Sequence, residues 1–275
     1  MSTSKSDGPP PLPRGTVVTP GYEVREHLSR GRALDVYEVW NKERGCLCVV
    51  KTLRPDRFGD WSARTGLMTE GELLLRLTHP HIVRAYELVR RPRPALVLET
   101  LGGATLAHIV KTRSRRLPAK ELAVLGLQLS SAVAYLHRHG FLHLDLKPSN
   151  VVCDGGLAKV IDLSVARAPG PTRKPVGTRP YMAPEQAAGD ILTGAADVWG
   201  VGCVLYEAAT GRRPFTGAEG NGYPQLHRRA DPARSWRRLP AGLSAVIDAC
   251  LARDPAARPT LAQLADVLER FADTA

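Results

Sequence analysis

The sequence predicts an α+β fold with a strand-rich front and a helix-rich back, and three observations carry that prediction. From Tyr22 onward, "YEVREHLS", "LDVYEVWN" and "CLCVVKTL" alternate β-branched and aromatic residues with polar ones, the period of half-buried strands. Beyond "LGG" (Leu101–Gly103) the apolar spacing lengthens to that of amphipathic helices. The chain has 275 residues, 43% of them hydrophobic, which suits one large domain or two closely joined lobes with a sizeable core.

Residues 1–20 are polar and proline-rich and are expected to form a disordered or extended tail. Residues 21–99 are expected to form an N-terminal lobe: the three strands above, a helix over Ser62–Leu77, and strands in "RAYELVR" and "PALVLET". Residues 99–103 are marked as a hinge. The C-terminal lobe, residues 104–272, carries helical patterns over Pro118–His139, Asp197–Thr210, Leu243–Leu251 and Thr260–Phe271. Within it, "VVCDGGLAKVIDLS" predicts a hairpin, because "DGG" separates two short apolar runs. A ligand cleft is expected between the lobes, a preferred position for such sites.

Composition excludes several classes. No apolar run approaches the roughly 20 residues of a membrane span, and "MSTSKSDGPPPLPRG" has no apolar stretch of signal-peptide type. Five scattered cysteines, none in a CxxC pair, argue against a disulfide framework and a zinc site. A soluble cytoplasmic protein is expected. The net charge of +11 gathers at "RRPR" (Arg90–Arg93), "KTRSRR" (Lys111–Arg116) and "RRADPARSWRR" (Arg228–Arg238). No nucleic-acid motif or aromatic platform accompanies these clusters, so they are read as solvated surface, with neither nucleic acid nor membrane as partner.

The chemistry concentrates in "HLDLKPSN" (His143–Asn150), which places an acid (Asp145), a cation (Lys147) and an amide (Asn150) within six residues. Phosphoryl transfer needs these three groups near a hydroxyl, a migrating phosphate and a metal ion. Asp162 follows the apolar pair Val160 and Ile161, and a carboxylate at that strand end, facing Asn150, can hold Mg²⁺ against phosphate oxygens. "HLDLKPSN" with "DLS" is similar to the catalytic loop and metal-binding triplet of eukaryotic-like (Hanks-type) protein kinases. "CVVK" ending at Lys51, "GTRPYMAPEQ" (Gly177–Gln186), "DVWGVG" (Asp197–Gly202) and Arg258 in "DPAARPT" extend the resemblance to about Tyr22–Phe271. "DLKPSN" and Thr178 resemble the Ser/Thr class, and "APEQ" and "LYEAATGRRPF" resemble its bacterial members.

The resemblance implies a bilobal fold, with an antiparallel sheet and one helix in the first lobe and mainly helices in the second. It implies ATP and Mg²⁺ as cofactors and a signalling role through phosphorylation of a protein substrate at Ser or Thr. Asp145 would accept the substrate hydroxyl proton and Lys147 would neutralise charge on the γ-phosphoryl group, while Asn150 and Asp162 would hold the metal. Lys51, paired with Glu70, would meet the α- and β-phosphates beneath a loop containing Ser29 and Gly31. Val36, Val49 and Val152 would enclose the adenine, with backbone hydrogen bonds at Glu99 and Leu101. Asp197 would brace the catalytic loop and Arg258 would pair with Glu185. His143 matches the family's structural histidine, and no metal is expected at His137 or His139.

Several positions depart from the family pattern. Against Gly-x-Gly-x-x-Gly-x-Val the chain has Ser29, Gly31, Leu34 and Val36, so only the middle glycine survives. Glycine serves there through positive φ and close backbone approach to phosphates, and Leu34 is expected to hold the loop raised. Val49 replaces an alanine and narrows the adenine pocket, Ser164 replaces a glycine and is expected to stiffen the metal-binding turn, and Leu144 replaces an arginine that receives a phosphorylated activation segment. Two alternatives to an active kinase follow: a pseudokinase acting as a nucleotide-weak scaffold, and a small-molecule phosphotransferase. The "APE" segment argues against the second.

Overall fold

The computed structural model describes residues 8–112, 116–216 and 222–273. It divides into two compact units: the described residues up to Thr78 with Val83–Leu101, and His79–Ile82 with the described residues from Gly102 onward. The division after Leu101 falls inside residues 99–103.

The first unit contains strands β1 (Val17–Thr19), β2 (Tyr22–Arg30), β3 (Leu34–Asn41), β4 (Cys46–Leu53), β5 (Ala85–Val89) and β6 (Ala95–Glu99), with one long helix, α1 (Trp61–Arg76). The strands form one antiparallel sheet in the order β1-β2-β3-β4-β6-β5. Alternation along β3 sends Asp35, Tyr37, Val39 and Asn41 to one buried face. There Tyr37 and Val39 join Val18, Tyr22, Val24, Cys48, Val50, Ala95 and Val97 in a single apolar cluster. The opposite face carries Val36 and Lys51, which are cross-strand partners. Glu70 of α1 bonds to Lys51 there.

Asp60 caps α1 by accepting the Ala63 N–H at 3.0 Å, and the helix ends where Leu77 turns extended. Gly71 lets α1 and β5 approach, since a Cβ there would stand 2.5 Å from a Leu88 methyl carbon. Leu67 and Leu74, each 1% exposed, contribute about 1.5–3 kcal/mol apiece relative to exposure.

Within the expected tail, the described residues 8–20 lie against the sheet: Leu12 packs on the apolar cluster, Val18 is buried, and β1 pairs with β2. Composition marks the prolines but not the apolar surface that receives Leu12 and Val18. Residues 1–7, and 113–115 of the "KTRSRR" cluster, lie outside the described residues.

The second unit is mainly helical: α2 (Leu106–Thr112), α3 (Ala119–Arg138), α4 (Pro184–Ala188), α5 (Gly194–Thr210), α6 (Ala241–Cys250) and α7 (Leu261–Ala272). Leu122, Leu129, Val133 and Leu136 of α3 are fully buried, and α3 packs on α5 and α7. Thr193 caps α5 and starts it three residues before the expected Asp197, while Thr260 and Gln263 form a capping box on α7.

A small sheet joins β7 (Ala104–Thr105), β8 (Val151–Asp154) and β9 (Leu157–Val160). The β8–β9 turn uses Gly155 and Gly156, both at positive φ as a two-residue hairpin requires. His81 and Ile82 run along β9, with the His81 carbonyl accepting the Val160 N–H at 2.9 Å. "HPHI" (residues 79–82) therefore belongs to this unit although it falls within residues 21–99. The elements not foreseen include β1, β7, α2, α4 and the two-residue strands Gly170–Pro171 and Ile191–Leu192, all too short for periodicity to reveal.

Candidate active site

In the first unit, Lys51 occupies the centre of the sheet, paired with Val36 on β3 and Leu96 on β6. Its Nζ donates to Glu70 Oε1 at 2.7 Å, and Glu70 is fully buried. Cross-strand partners share a face, so Ser29 (opposite Val36), Val36 and Lys51 line one side, and strand alternation adds Val49. Glu99 ends β6, its N–H donating to the Arg84 carbonyl at 3.0 Å and its Oε1 accepting the Arg84 N–H at 2.9 Å. Leu101 is the last residue of this unit and is half-buried.

The turn at Gly31–Ala33 departs from expectation. Gly31 is not among the residues at positive φ, and its N–H donates to the Leu34 carbonyl at 2.8 Å. The surviving glycine closes a tight turn instead of supplying a left-handed backbone. Leu34 opens β3 opposite Leu53, on the face that carries Val36.

In the second unit, the segment His143–Asn150 is fastened from below by Asp197 of α5. Asp197 Oδ2 accepts the His143 N–H at 2.8 Å and Oδ1 the Leu144 N–H at 2.7 Å. His137 Nε2 lies 2.8 Å from Oδ2, so this histidine also belongs to the brace. Leu144 is 3% exposed and held at φ 64°, a left-handed conformation costing a non-glycine residue about 1–2 kcal/mol. Gln186 secures it from the other side, donating from Nε2 to the Leu144 carbonyl and to the Val176 carbonyl, both at 2.8 Å.

His143 is completely buried, and burial is the largest influence, holding its pKa below the ordinary histidine value. Its Nδ1 accepts the Asp145 N–H at 3.1 Å, so the ring is neutral with its proton on Nε2. This bond directs the backbone from which the Asp145 side chain projects.

Asp145 is half-buried and its two oxygens differ. Oδ2 accepts from Lys147 Nζ at 2.6 Å and Asn150 Nδ2 at 3.2 Å. Oδ1 is shielded from solvent and has no hydrogen-bond partner among the described residues. Lys147 Nζ also donates to Thr178 Oγ1 at 2.6 Å, linking the loop to the segment before "APE".

Asn150 and Asp162 flank the open end of the β8–β9 hairpin. The Ile161 N–H donates to the Asn150 carbonyl at 2.9 Å, fixing Asn150 beside the residue that precedes Asp162. Asn150 Nδ2 donates to the Asp145 carbonyl at 3.0 Å, so its side-chain oxygen is the atom that would serve a metal. One amide oxygen and one carboxylate suit Mg²⁺, which binds through one or two protein oxygens with phosphates and water. No group of three or more His, Cys, Asp or Glu side chains able to cage an ion occurs among the described residues. Val152 on β8 is half-buried and pairs with Thr105.

The left-handed residue of "DLS" is Asp162 itself, at φ 71°, and aspartate tolerates that region better than most residues. Ser164 is not at positive φ, and its N–H donates to Asp162 Oδ1 at 3.2 Å. Ser164 thus occupies an ordinary backbone conformation, and the strained residue of the turn is Asp162. Leu163 is 1% exposed. Further along, Glu185 and Arg258 pair through two bonds of 2.6 and 2.8 Å, with the guanidinium 5.0 Å from the Trp199 ring.

Motif reading missed Gln186, although it sits three residues after Ala183, whose N–H its Oε1 accepts at 3.0 Å. It also missed Asp35, whose signal was an acid on the same strand face as Tyr37 and Val39.

A model of the protein kinase domain matches residues 22–267. The serine/threonine-protein kinase PknB of Mycobacterium tuberculosis is 34% identical over 250 residues, 85% of this chain and 40% of the relative. The serine/threonine-protein kinase PkaA of Streptomyces coelicolor is 34% identical over 92% of this chain and 50% of its own length. The chain thus spans about half or less of the curated relatives it matches. A crystal structure of the M. tuberculosis PknI kinase domain, a double mutant, superposes with a TM-score of 0.77 at 25% identity, covering 95% of this chain and 99% of that one.

Proposed function

This chain belongs to the protein kinase family, and on that premise we propose that it transfers the γ-phosphoryl group of ATP to Ser or Thr hydroxyls of a protein substrate. The observation that carries the reading is Asp145. One of its oxygens is saturated by Lys147 and Asn150, and the other, covered in this structure, has no hydrogen-bond partner among the described residues and so keeps its lone pairs for a hydroxyl proton. A base oriented this way accepts a proton from a hydroxyl presented along one direction, and positioned proton transfer of this kind is worth roughly 10²–10⁴-fold.

Lys147 offers its charge beside the same carboxylate, where it stabilises negative charge on a migrating phosphoryl group. Lys51, held by Glu70, presents an ammonium for the remaining phosphates. Asn150 and Asp162 would hold Mg²⁺, which when bound neutralises charge on the phosphate oxygens. Thr178 positions Lys147 through its hydroxyl.

One observation favours the scaffold reading: the Gly31 N–H is turned inward to Leu34 in a loop that has lost two of its three glycines. Mg²⁺-dependent ADP production by purified protein separates the two readings. Turnover that disappears in Asp162→Asn supports a kinase, and ADP release unaffected by that substitution refutes it.

A further inference from the structure

The phosphate-covering turn lacks two of the family's three glycines, yet its backbone is held from both flanks. On one flank, Arg54 is 94% buried, as its 6% exposure records, and its own N–H donates to the Ala33 carbonyl at 2.9 Å. The Arg54 guanidinium lies 3.4 Å from the Gly31 and Arg32 carbonyls and is fixed by a two-bond pair with Asp56 at 3.0 and 2.9 Å.

On the other flank, Asp35 is completely buried, one residue after Leu34. Arg30 clamps it through two bonds of 2.8 and 2.9 Å, Tyr37 donates to it at 3.2 Å, and His27 lies 3.2 Å away. Burial, the largest single influence, would raise the Asp35 pKa, but the hydrogen bonds from Arg30, His27 and Tyr37 and the Arg30 charge together outweigh it and hold the carboxyl below its usual range.

Both flanks lead to the N-terminal segment. Arg30 Nη1 donates to the Pro9 carbonyl at 2.7 Å, and the Tyr37 hydroxyl accepts the Leu12 N–H at 3.0 Å. Gly8 lies against the Arg54–Asp56 pair so closely that a Cβ there would collide with the guanidinium. Pro9, Pro10, Pro11 and Pro13 restrict φ along this stretch, so ordering it costs little conformational entropy.

We propose that residues 8–13 are a built-in clamp on the phosphate-covering turn, with Arg30, Asp35 and Tyr37 as positioning residues that hold the turn in shape for nucleotide. The inference rests on the kinase reading for its consequence, but the clamp itself concerns only this unit. A turn already ordered before binding loses less entropy when a ligand arrives, so the clamp offsets part of the affinity lost with the two glycines and the inward-turned Gly31 N–H.

The test uses the full chain with Tyr37→Phe, which deletes the hydroxyl shared by Leu12 and Asp35, and Leu12→Pro, which deletes the N–H donor, with Leu12→Ala, which keeps that N–H, as the control for the side chain's packing on the apolar cluster. Residue-resolved amide exchange without nucleotide reads the Gly31 and Arg54 N–H groups, with the β5–β6 ladder as reference. Tyr37→Phe and Leu12→Pro are each expected to speed exchange at Gly31 and Arg54 by about ten-fold, the equilibrium shift of roughly one lost hydrogen bond, and to leave the reference amides unchanged. KM for ATP is expected to rise several-fold, with kcat held within about two-fold, the pattern of lost uniform binding.

Unchanged exchange at both amides in both variants overturns the clamp, as does acceleration spread evenly over the sheet. Wild-type protein that binds no MgATP while these two amides are protected refutes the kinase reading alone, and the exchange data still decide the clamp.

Discussion

The catalytic segment and the phosphate-covering turn are both loops that a kinase must hold still, and this chain holds them by different means. His143–Asn150 keeps its acid, cation and amide, and is braced by Asp197 and His143, residues the motifs already mark. The turn at Gly31–Ala33 is held by Arg54, Arg30 and Asp35, which no motif marks. Proton transfer and metal ligation need particular atoms at particular points, so substitution there is narrow. Covering a phosphate needs only a backbone turn kept in shape, and many side chains can supply that.

The largest expected effect lies on the catalytic side of the comparison. Asp145→Asn should lower kcat by about 10²–10⁴-fold with an unaltered melting temperature. Near wild-type turnover would remove the assigned base and with it the contrast between the loops.

Next in size is the brace. Asp197→Ala leaves the His143 and Leu144 N–H groups buried without an acceptor, at about 1–3 kcal/mol for each. Urea denaturation should show that loss, and a midpoint equal to wild type would mean that the strained Leu144 backbone is held by Gln186 alone.

The turn should respond more mildly and in the opposite sense. Leu34→Gly should lower KM for ATP several-fold and leave kcat within about two-fold, at a stability cost of about 0.5–1 kcal/mol for glycine in a strand. Steady-state kinetics over a wide ATP range decide this, and an unchanged KM would show that the leucine does not obstruct nucleotide.

Acid should loosen the two regions in different windows. The His143 pKa is depressed in the folded chain, so its contribution is complete above the unfolded value of about 6.5 and is lost as pH falls from there to the folded value. Asp35 is depressed too, but from a carboxylate value of about 3.9, so its contribution persists to much lower pH. Amide exchange corrected for its intrinsic pH dependence should therefore rise between pH 7 and 5.5 around His143 and Leu144, and not around Asp35. A His143→Gln variant should lose that difference.

The smallest effect is expected at Thr172, a half-buried residue whose hydroxyl donates to the Lys174 carbonyl. With the uncharged, buried Leu144 where a phosphate-receiving arginine would stand, Thr172→Ala should keep activity within about two-fold. A large fall in kcat, restored by glutamate at that position, would show that another cation receives a phosphate there.

Most of this architecture was legible because it obeys local rules. The alternation of "LDVYEVWN" became β3 without an error of register, and "DGG" became the two-residue turn between β8 and β9. What was not legible depends on contacts between distant residues. Prolines announce an extended segment, but that Leu12 finds Tyr37 twenty-five positions away is a property of the folded sheet. Likewise, Gly31 and Ser164 were judged by the backbone freedom their positions require elsewhere. Here Gly31 closes on Leu34, and the left-handed residue is Asp162, so neither position demands that freedom. The site itself was readable as a set of residue types, and its division of labour between the two Asp145 oxygens was not.

Leu144 also bears on how this chain can change. Four of the six leucine codons are one nucleotide from an arginine codon, so the exchange is a short step in genetic terms. Physically the step is long. The side chain is 3% exposed, and both its N–H and its carbonyl are already committed, to Asp197 and to Gln186. A guanidinium placed there would have to be taken out of water at a cost of several kcal/mol unless a counter-charge arrived with it. Restoring that form of control would require neighbouring positions to alter first, so the present arrangement acts as a ratchet against its own reversal.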